Sequence, residues 1–310
     1  MKALLAALRH QRHCSAATVA GRVTLPLLLA LAPLLASRGV AAWGPPPPPL
    51  LLLHVSRQQE RALTPLQREI ERQRERLRSS DIEERRDALL RLGALQRPDS
   101  SRAALPALTD RASLVRATAA RAIIYLPPGE ATAWLLPLLR DKDEFVRRET
   151  AYALGETHSR AATAALVTTL ARDKEAGVRG AAAVALGSIG DESALAALTE
   201  ALGRRIDRPG FLNRITFRKR EENEFVRRSA AVALGQLGRR EAVPALIAAL
   251  ANEKSGDDVR REAARSLGRI GDPAAIPALR AALDAGDPYL SRLAYEILLR
   301  LDPQKTARPT

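Results

Sequence analysis

Residues Glu224 to Leu250, EFVRRSAAVALGQLGRREAVPALIAAL, decide the fold. Val226, Ala230 and Leu234 recur at helical spacing in the first half, which is expected to run from about Phe225 and stop at Gly235. Val243, Leu246 and Leu250 recur in the second half, from about Glu241. Helices this short do not persist alone in water, so each must bury its apolar stripe against a neighbour. The chain supplies that neighbour by writing the same pair on both sides.

Val115, Val146, Val178, Val226 and Val259 hold equivalent positions, each followed by an arginine: Arg116, Arg147, Arg179, Arg227 and Arg260. The steps between them are 31, 32, 48 and 33 residues, so one unit carries an insertion. Gly155, Gly187, Gly235 and Gly268 follow in register and are read as stops of the first helices. Weaker units lie upstream, with Glu84 and Gly93, and downstream, with Leu290 and Leu299. Gly190, Gly238 and Gly271 close three units. Leu198 and Leu202, Leu246 and Leu250, and Leu279 and Leu283 follow them on the second helices. Asp81, Asp143, Asn223 and Asp287 stand where N-caps accept orphan amide protons, whereas Ala112, Glu175 and Gly256 break that pattern. Small residues such as Ala181 to Ala183, Ala230 and Ala263 let neighbouring pairs approach closely. The expected fold is all-α: a solenoid of about six to seven stacked antiparallel helix pairs.

The VRxxAAxxLGxIGD pattern, present as Val178 to Asp191 and as Val259 to Asp272, resembles the bacterial HEAT-like repeats named after phycobilisome lyases. The resemblance spans roughly residues 81 to 300 and implies the solenoid fold. Such repeats host many activities, so it implies a function only loosely.

Residues 1 to 42 contain five basic residues and no acids, an apolar run from Val23 to Ala36, and small residues Val40-Ala41-Ala42 before Trp43. That layout is expected of a secretory signal peptide or, uncleaved, of a membrane anchor. It places the remainder in the periplasm or outside the cell, or anchored to the inner membrane facing the periplasm. The single cysteine, Cys14, would leave with the signal, so disulfides and thiolate chemistry are not expected. A Pro/Leu-rich linker over 43–54 and a charged leading helix over 55–80 follow, the latter beginning near Pro65 after Thr64. The solenoid then occupies 81–303 and a disordered tail 304–310.

The formal charge of +14 resolves into three places: five basics in the leader, +3 over 55–80 and +6 over 204–220. The repeat body is neutral, which argues against a nucleic-acid function. The arginines after the slot valines lie beside Asp141, Asp143, Asp173, Asp257 and Asp258, and are expected to form a structural ladder of alternating charge.

The insertion, RRIDRPGFLNRITFRKR, reads as a hairpin or ordered loop, with a turn at Arg208-Pro209-Gly210 and strand character at Ile215 to Phe217. Arg204, Arg205, Arg208, Phe211, Arg214, Phe217, Arg218, Lys219 and Arg220 are its candidate partner-binding residues, since desolvated aromatic and arginine side chains carry much of binding energy.

No catalytic, cofactor or metal site is expected. Of His10, His13, His54 and His158 only the last lies in the array, in a turn, and a metal site needs three or four converging ligands. No His-Glu pair of the kind used by HEAT-repeat hydroxylases occurs, nor a phosphate-binding glycine loop. The expected function is a non-catalytic exported scaffold or adaptor binding a protein partner. The alternatives are a lyase- or hydroxylase-type enzyme or accessory, and a protein of anionic membrane surfaces, held there by an uncleaved N-terminus or the basic insertion.

Overall fold

The computed structural model describes residues 63–207, 219–253 and 256–303. They belong to one of two compact units, Ser56–Thr310. The signal, linker and tail regions, together with Arg208, Phe211, Arg214, Phe217, Arg218 and the Ile215 to Phe217 stretch, lie outside the described residues.

Fourteen α-helices occur among them. α1 (Pro65–Arg76) opens with Thr64 and Gln67 in a reciprocal capping box and with proline at its first position. It lies on the first repeat, where Ile70 is buried. First helices follow as α2 (Ile82–Ala94), α4 (Ser113–Ala122), α6 (Glu144–Glu156), α8 (Ala176–Ile189), α10 (Glu224–Leu237), α12 (Asp257–Ile270) and α14 (Pro288–Leu301). The intervening second helices are α3 (Pro98–Ala104), α5 (Pro128–Leu135), α7 (Thr163–Arg172), α9 (Leu195–Gly203), α11 (Val243–Ala251) and α13 (Ile276–Ala281). Six pairs and one further first helix therefore stack, each packing on its neighbours, with 3-10 turns before or after every second helix.

Alanines and leucines build one continuous core along the stack. The slot valines are at most 1% exposed. Caps fall where the sequence places them: Asp81, Asp143, Asn223 and Asp287 accept from the amides of Glu83, Phe145, Phe225 and Tyr289.

One expectation is corrected. Gly155, Gly187, Gly235 and Gly268 do not end the first helices but lie inside them. A Cβ on Gly187 would stand 2.9 Å from Ala233 Cα, and one on Gly155 2.8 Å from Ala185 Cα. These glycines set how closely successive first helices approach. The helices end instead at Gly190, Gly238 and Gly271, whose φ values of 70°, 67° and 73° lie in the left-handed region open to glycine. In two other units Gln96 and His158 hold the corresponding place at φ 52° and 51°. In the last unit the register of the buried glycines is held by Leu299, 42% exposed.

Candidate functional site

The arginine after each slot valine turns inward. Arg116 Nε and Nη2 donate to the two carboxylate oxygens of Asp141, both at 2.8 Å, while its Nη1 donates to the carbonyls of Asp110 and Arg111. Arg147 repeats this with Asp173 (2.7 and 3.0 Å) and the carbonyls of Asp141 and Lys142. Arg85, in the weaker first unit, does the same with Asp110 and with Ser79 and Ser80. Each aspartate thus receives one arginine on its side chain and the next on its carbonyl. Its carboxylate also accepts the amide two residues on, as Asp110 does from Ala112. The result is an unbroken chain of forked, charge-assisted bonds along the turn edge.

Burial alone would raise the carboxyl pKa values of Asp110, Asp141 and Asp173. The arginine forks and backbone amides outweigh it and hold all three below the ordinary carboxylate value. Asp143, Asp257 and Asp258 do not join this chain. Asp143 caps α6, while Asp258 pairs with Arg228 and Arg261 nearer the surface.

The insertion is spliced into this chain without breaking it. Arg179 Nε and Nη2 donate to Glu222 at 3.1 and 2.6 Å, across 43 residues where the other rungs span 25 or 26. Glu222 has a fully buried side chain and also accepts the amide of Asn223 at 2.7 Å. The aspartates stand two residues before the capping position and Glu222 only one before it. The extra methylene of glutamate makes up the missing residue. Between these anchors run β1 (Arg205–Asp207) and β2 (Lys219–Glu221), an antiparallel pair with Ile206 opposite Arg220. The Glu222 amide donates to the Arg204 carbonyl at 2.9 Å and closes the stem.

The candidate residues therefore divide. Arg204 faces inward: it donates to the Ala171 carbonyl at 2.8 Å, beside the end of α7, and lies 3.8 Å from Glu222. Arg205 is exposed at the start of β1. Lys219 and Arg220 lie on β2. Beyond the insertion the ladder changes: Arg227 and Arg260 donate to the carbonyls of Leu202 and Leu250, and Arg261 takes the forked bond, with Asp287 at 2.7 and 2.9 Å.

Two features escaped the sequence reading. A groove of about 350 Å³ crosses α2, α4 and α6, lined by Leu90, Ile124, Tyr125 and Phe145, with Arg121 held by Glu149. His158, in its exposed turn, bonds through Nδ1 to the Ser188 carbonyl at 2.8 Å. Among the described residues no group of three or more His, Cys, Asp or Glu is placed to hold a metal ion, and no helix is long and apolar enough to cross a membrane.

The family described as HEAT repeats matches residues 102–173, 132–209 and 214–300, more than half of the sequence. The chain belongs to the HEAT-repeat family. In fold it is similar to YibA of Escherichia coli, with a TM-score of 0.51 and 21% identity over 76% of this chain and 82% of that one. It is also similar to the CpcE–CpcF complex of phycocyanin lyase from Nostoc sp. PCC7120 (TM-score 0.46, 24% identity, 77% of this chain and 89% of that one). A further likeness is to human deoxyhypusine hydroxylase in complex with glycerol (TM-score 0.36, 21% identity, 76% and 96%). At these identities the likenesses concern the fold alone. No curated protein matches the chain in sequence.

Proposed function

We propose that the chain is a non-catalytic scaffold or adaptor, exported to the periplasm or beyond by its N-terminal segment, that binds a protein partner through the insertion and the surface beside it. The observation that carries this reading is the splice at Glu222. A segment that merely tolerated extra residues would need no buried anchor. Here Arg179 and Arg204 converge on one fully buried carboxylate at the root of the hairpin. A rigid mount lowers the ordering cost of binding, because less of the contact surface must be fixed when the partner arrives. Next to the stem an open groove runs past Leu195, Thr199, Glu200 and Glu241 and gives the partner a second wall.

The test is affinity capture from the envelope fraction with the intact chain and with a form lacking 205–219. The deletion leaves helicity and melting within about 0.5 kcal/mol, as surface changes away from the core do, and abolishes capture of the partner. Equal capture by both forms refutes the proposal. N-terminal sequencing of the same sample checks export by revealing processing near Trp43.

A further inference from the structure

The turn edge that carries the arginine ladder also sorts the exposed charges. Each rung leaves cations pointing outward from the turn: Arg111, Arg140 and Lys142, Arg172 and Lys174, then Arg205 at the root of the hairpin, all exposed. Their line-up follows from the ladder itself. Arg116 bridges the 110–111 and 141 turns, Arg147 the 141–142 and 173 turns, and Arg179 the 173–174 turn and Glu222. Among the described residues Arg140, Lys142 and Arg172 make no ion pair, Lys174 stands 4.0 Å from Glu175, and Arg111 reaches only the Ser80 carbonyl at 3.4 Å. Asp110, Asp141 and Asp173 between them are already committed to buried arginines. Among the described residues Asp143, Glu144 and Glu175 answer the cations from the same turns, three acids against the six exposed cations.

Past the hairpin the sign reverses. Glu224, Glu253, Asp257, Asp258 and Asp284 are exposed on the turns of the last units, and Arg228 and Arg261 engage only Asp258 among them. Among the described residues exposed cations outnumber acids on the edge from Arg111 to Arg205, and acids outnumber cations after the hairpin. Summing charge along the sequence conceals this, because the two halves cancel.

We infer that the basic half of the turn edge is a docking track for an extended acidic polypeptide segment, which rests on the protein-binding reading above and names its partner's chemistry. Four rungs at helix-packing distances of about 8–10 Å span about 25–30 Å. A chain in the polyproline II conformation, rising about 3.1 Å per residue with three residues per turn, covers that with about ten residues, an acidic side chain facing each of the four rungs at every third position. A long polyanion or a flat anionic membrane would also meet the acidic half and be repelled there. A short acidic peptide stops at the hairpin, and its occasional basic residues can face Glu144 and Glu175.

The experiment measures anisotropy of a labelled decapeptide carrying glutamate at positions 1, 4, 7 and 10 against the full chain at low salt. A thirty-nucleotide single-stranded DNA and phosphatidylserine vesicles serve as the competing anions. The variant carries Arg140→Glu, Lys142→Glu, Arg172→Glu and Lys174→Glu, with circular dichroism and melting to establish its fold. A second variant carries glutamine at the same four positions in case reversal disturbs folding. The peptide binds the native chain, loses at least tenfold in affinity on reversal, and loses less on neutralisation. Failure of the peptide to bind, or binding unaffected by both variants, overturns the inference. So does tighter binding of DNA or vesicles than of the peptide. The capture assay separates the two claims. Partner capture that depends on the hairpin but not on these four cations leaves the scaffold reading standing and the track refuted. Capture indifferent to both overturns the two together.

Discussion

Glu222→Ala tests whether one buried carboxylate holds the insertion in the stack. Its side chain is fully buried and receives Arg179 through two bonds and the Asn223 amide through a third. Removing it leaves the Arg179 guanidinium, whose side chain is only 11% exposed, with the carbonyls of Asp173 and Lys174 but no counter-charge. Breaking one side of a buried pair costs about 3–5 kcal/mol, whereas replacing both partners by apolar groups of similar volume is close to neutral. The expected outcome is therefore a loss of about 3–5 kcal/mol for Glu222→Ala and recovery of most of it when Arg179→Met is added. Arg228→Ala, which breaks the half-exposed pair with Asp258, is the control and costs less than about 1 kcal/mol. Urea denaturation followed by far-ultraviolet circular dichroism reads all of these. Because a repeat stack couples mainly neighbours, hydrogen exchange should accelerate in α9 and α10 and leave α2 untouched. A Glu222→Ala cost below about 1 kcal/mol, or a double mutant no better than the single, would refute the idea that this pair carries the splice.

Gly187→Ala should destabilise by about 1–3 kcal/mol, because the added methyl meets Ala233 Cα at 2.9 Å. Gly129→Ala, within α5 and with nothing inside 4 Å of the new methyl, should gain about 0.5–1 kcal/mol; thermal melts of the two distinguish close approach from simple helix propensity. Thr150 is fully buried and its hydroxyl has no hydrogen-bond partner, so Thr150→Val should stabilise by about 1–2 kcal/mol, and a lower melting temperature would contradict this. Asp110, Asp141 and Asp173 have folded pKa values below the ordinary 3.8, so the unfolded chain binds more protons on acidification. Their contribution is fully present above the unfolded pKa and is lost as pH falls through the folded values. Urea midpoints should stay level from pH 7 to about 5 and fall below about 4, and Asp141→Asn should flatten that fall.

The repeat, its caps and the once-per-unit recurrence of the ladder arginines were legible because they rest on local chemistry, whereas the burial of those arginines was not. A 3.6-residue periodicity, an Asp at the head of a helix and a Val-Arg pair every thirty-odd residues all act within one or two turns of chain. Gly187 was misread for the opposite reason. A glycine that ends a helix and one that admits a neighbouring helix look alike until Ala233 is placed beside it. Glu222 is hidden in the sequence because, flanked by Glu221 and close to Glu224, it looks like one more surface charge. Its nearness to the cap Asn223, in step with Asp141 before Asp143, was the available signal. His158 reads as a turn residue and is one. That it stands in for the terminal glycine of its unit appears only when Gly190, Gly238 and Gly271 are seen at positive φ. The segregation of charge along the turn edge could not be read from totals, since the ladder and not the sequence brings those turns into line.

Leu299 has a consequence for assembly. In four earlier repeats the same position is a glycine, Gly155, Gly187, Gly235 or Gly268, pressed against the following helix, where an added carbon would collide with Ala185, Ala233, Ser266 or Ile297, whereas Gly93 has room for one and Ile124 fills the position in the α4 unit. A leucine there keeps a further first helix from approaching α14 as closely as α10 approaches α8 over Gly187. A second molecule set against this end would therefore rest at a wider separation than the one Gly187 permits inside the stack, held off by a single isobutyl group.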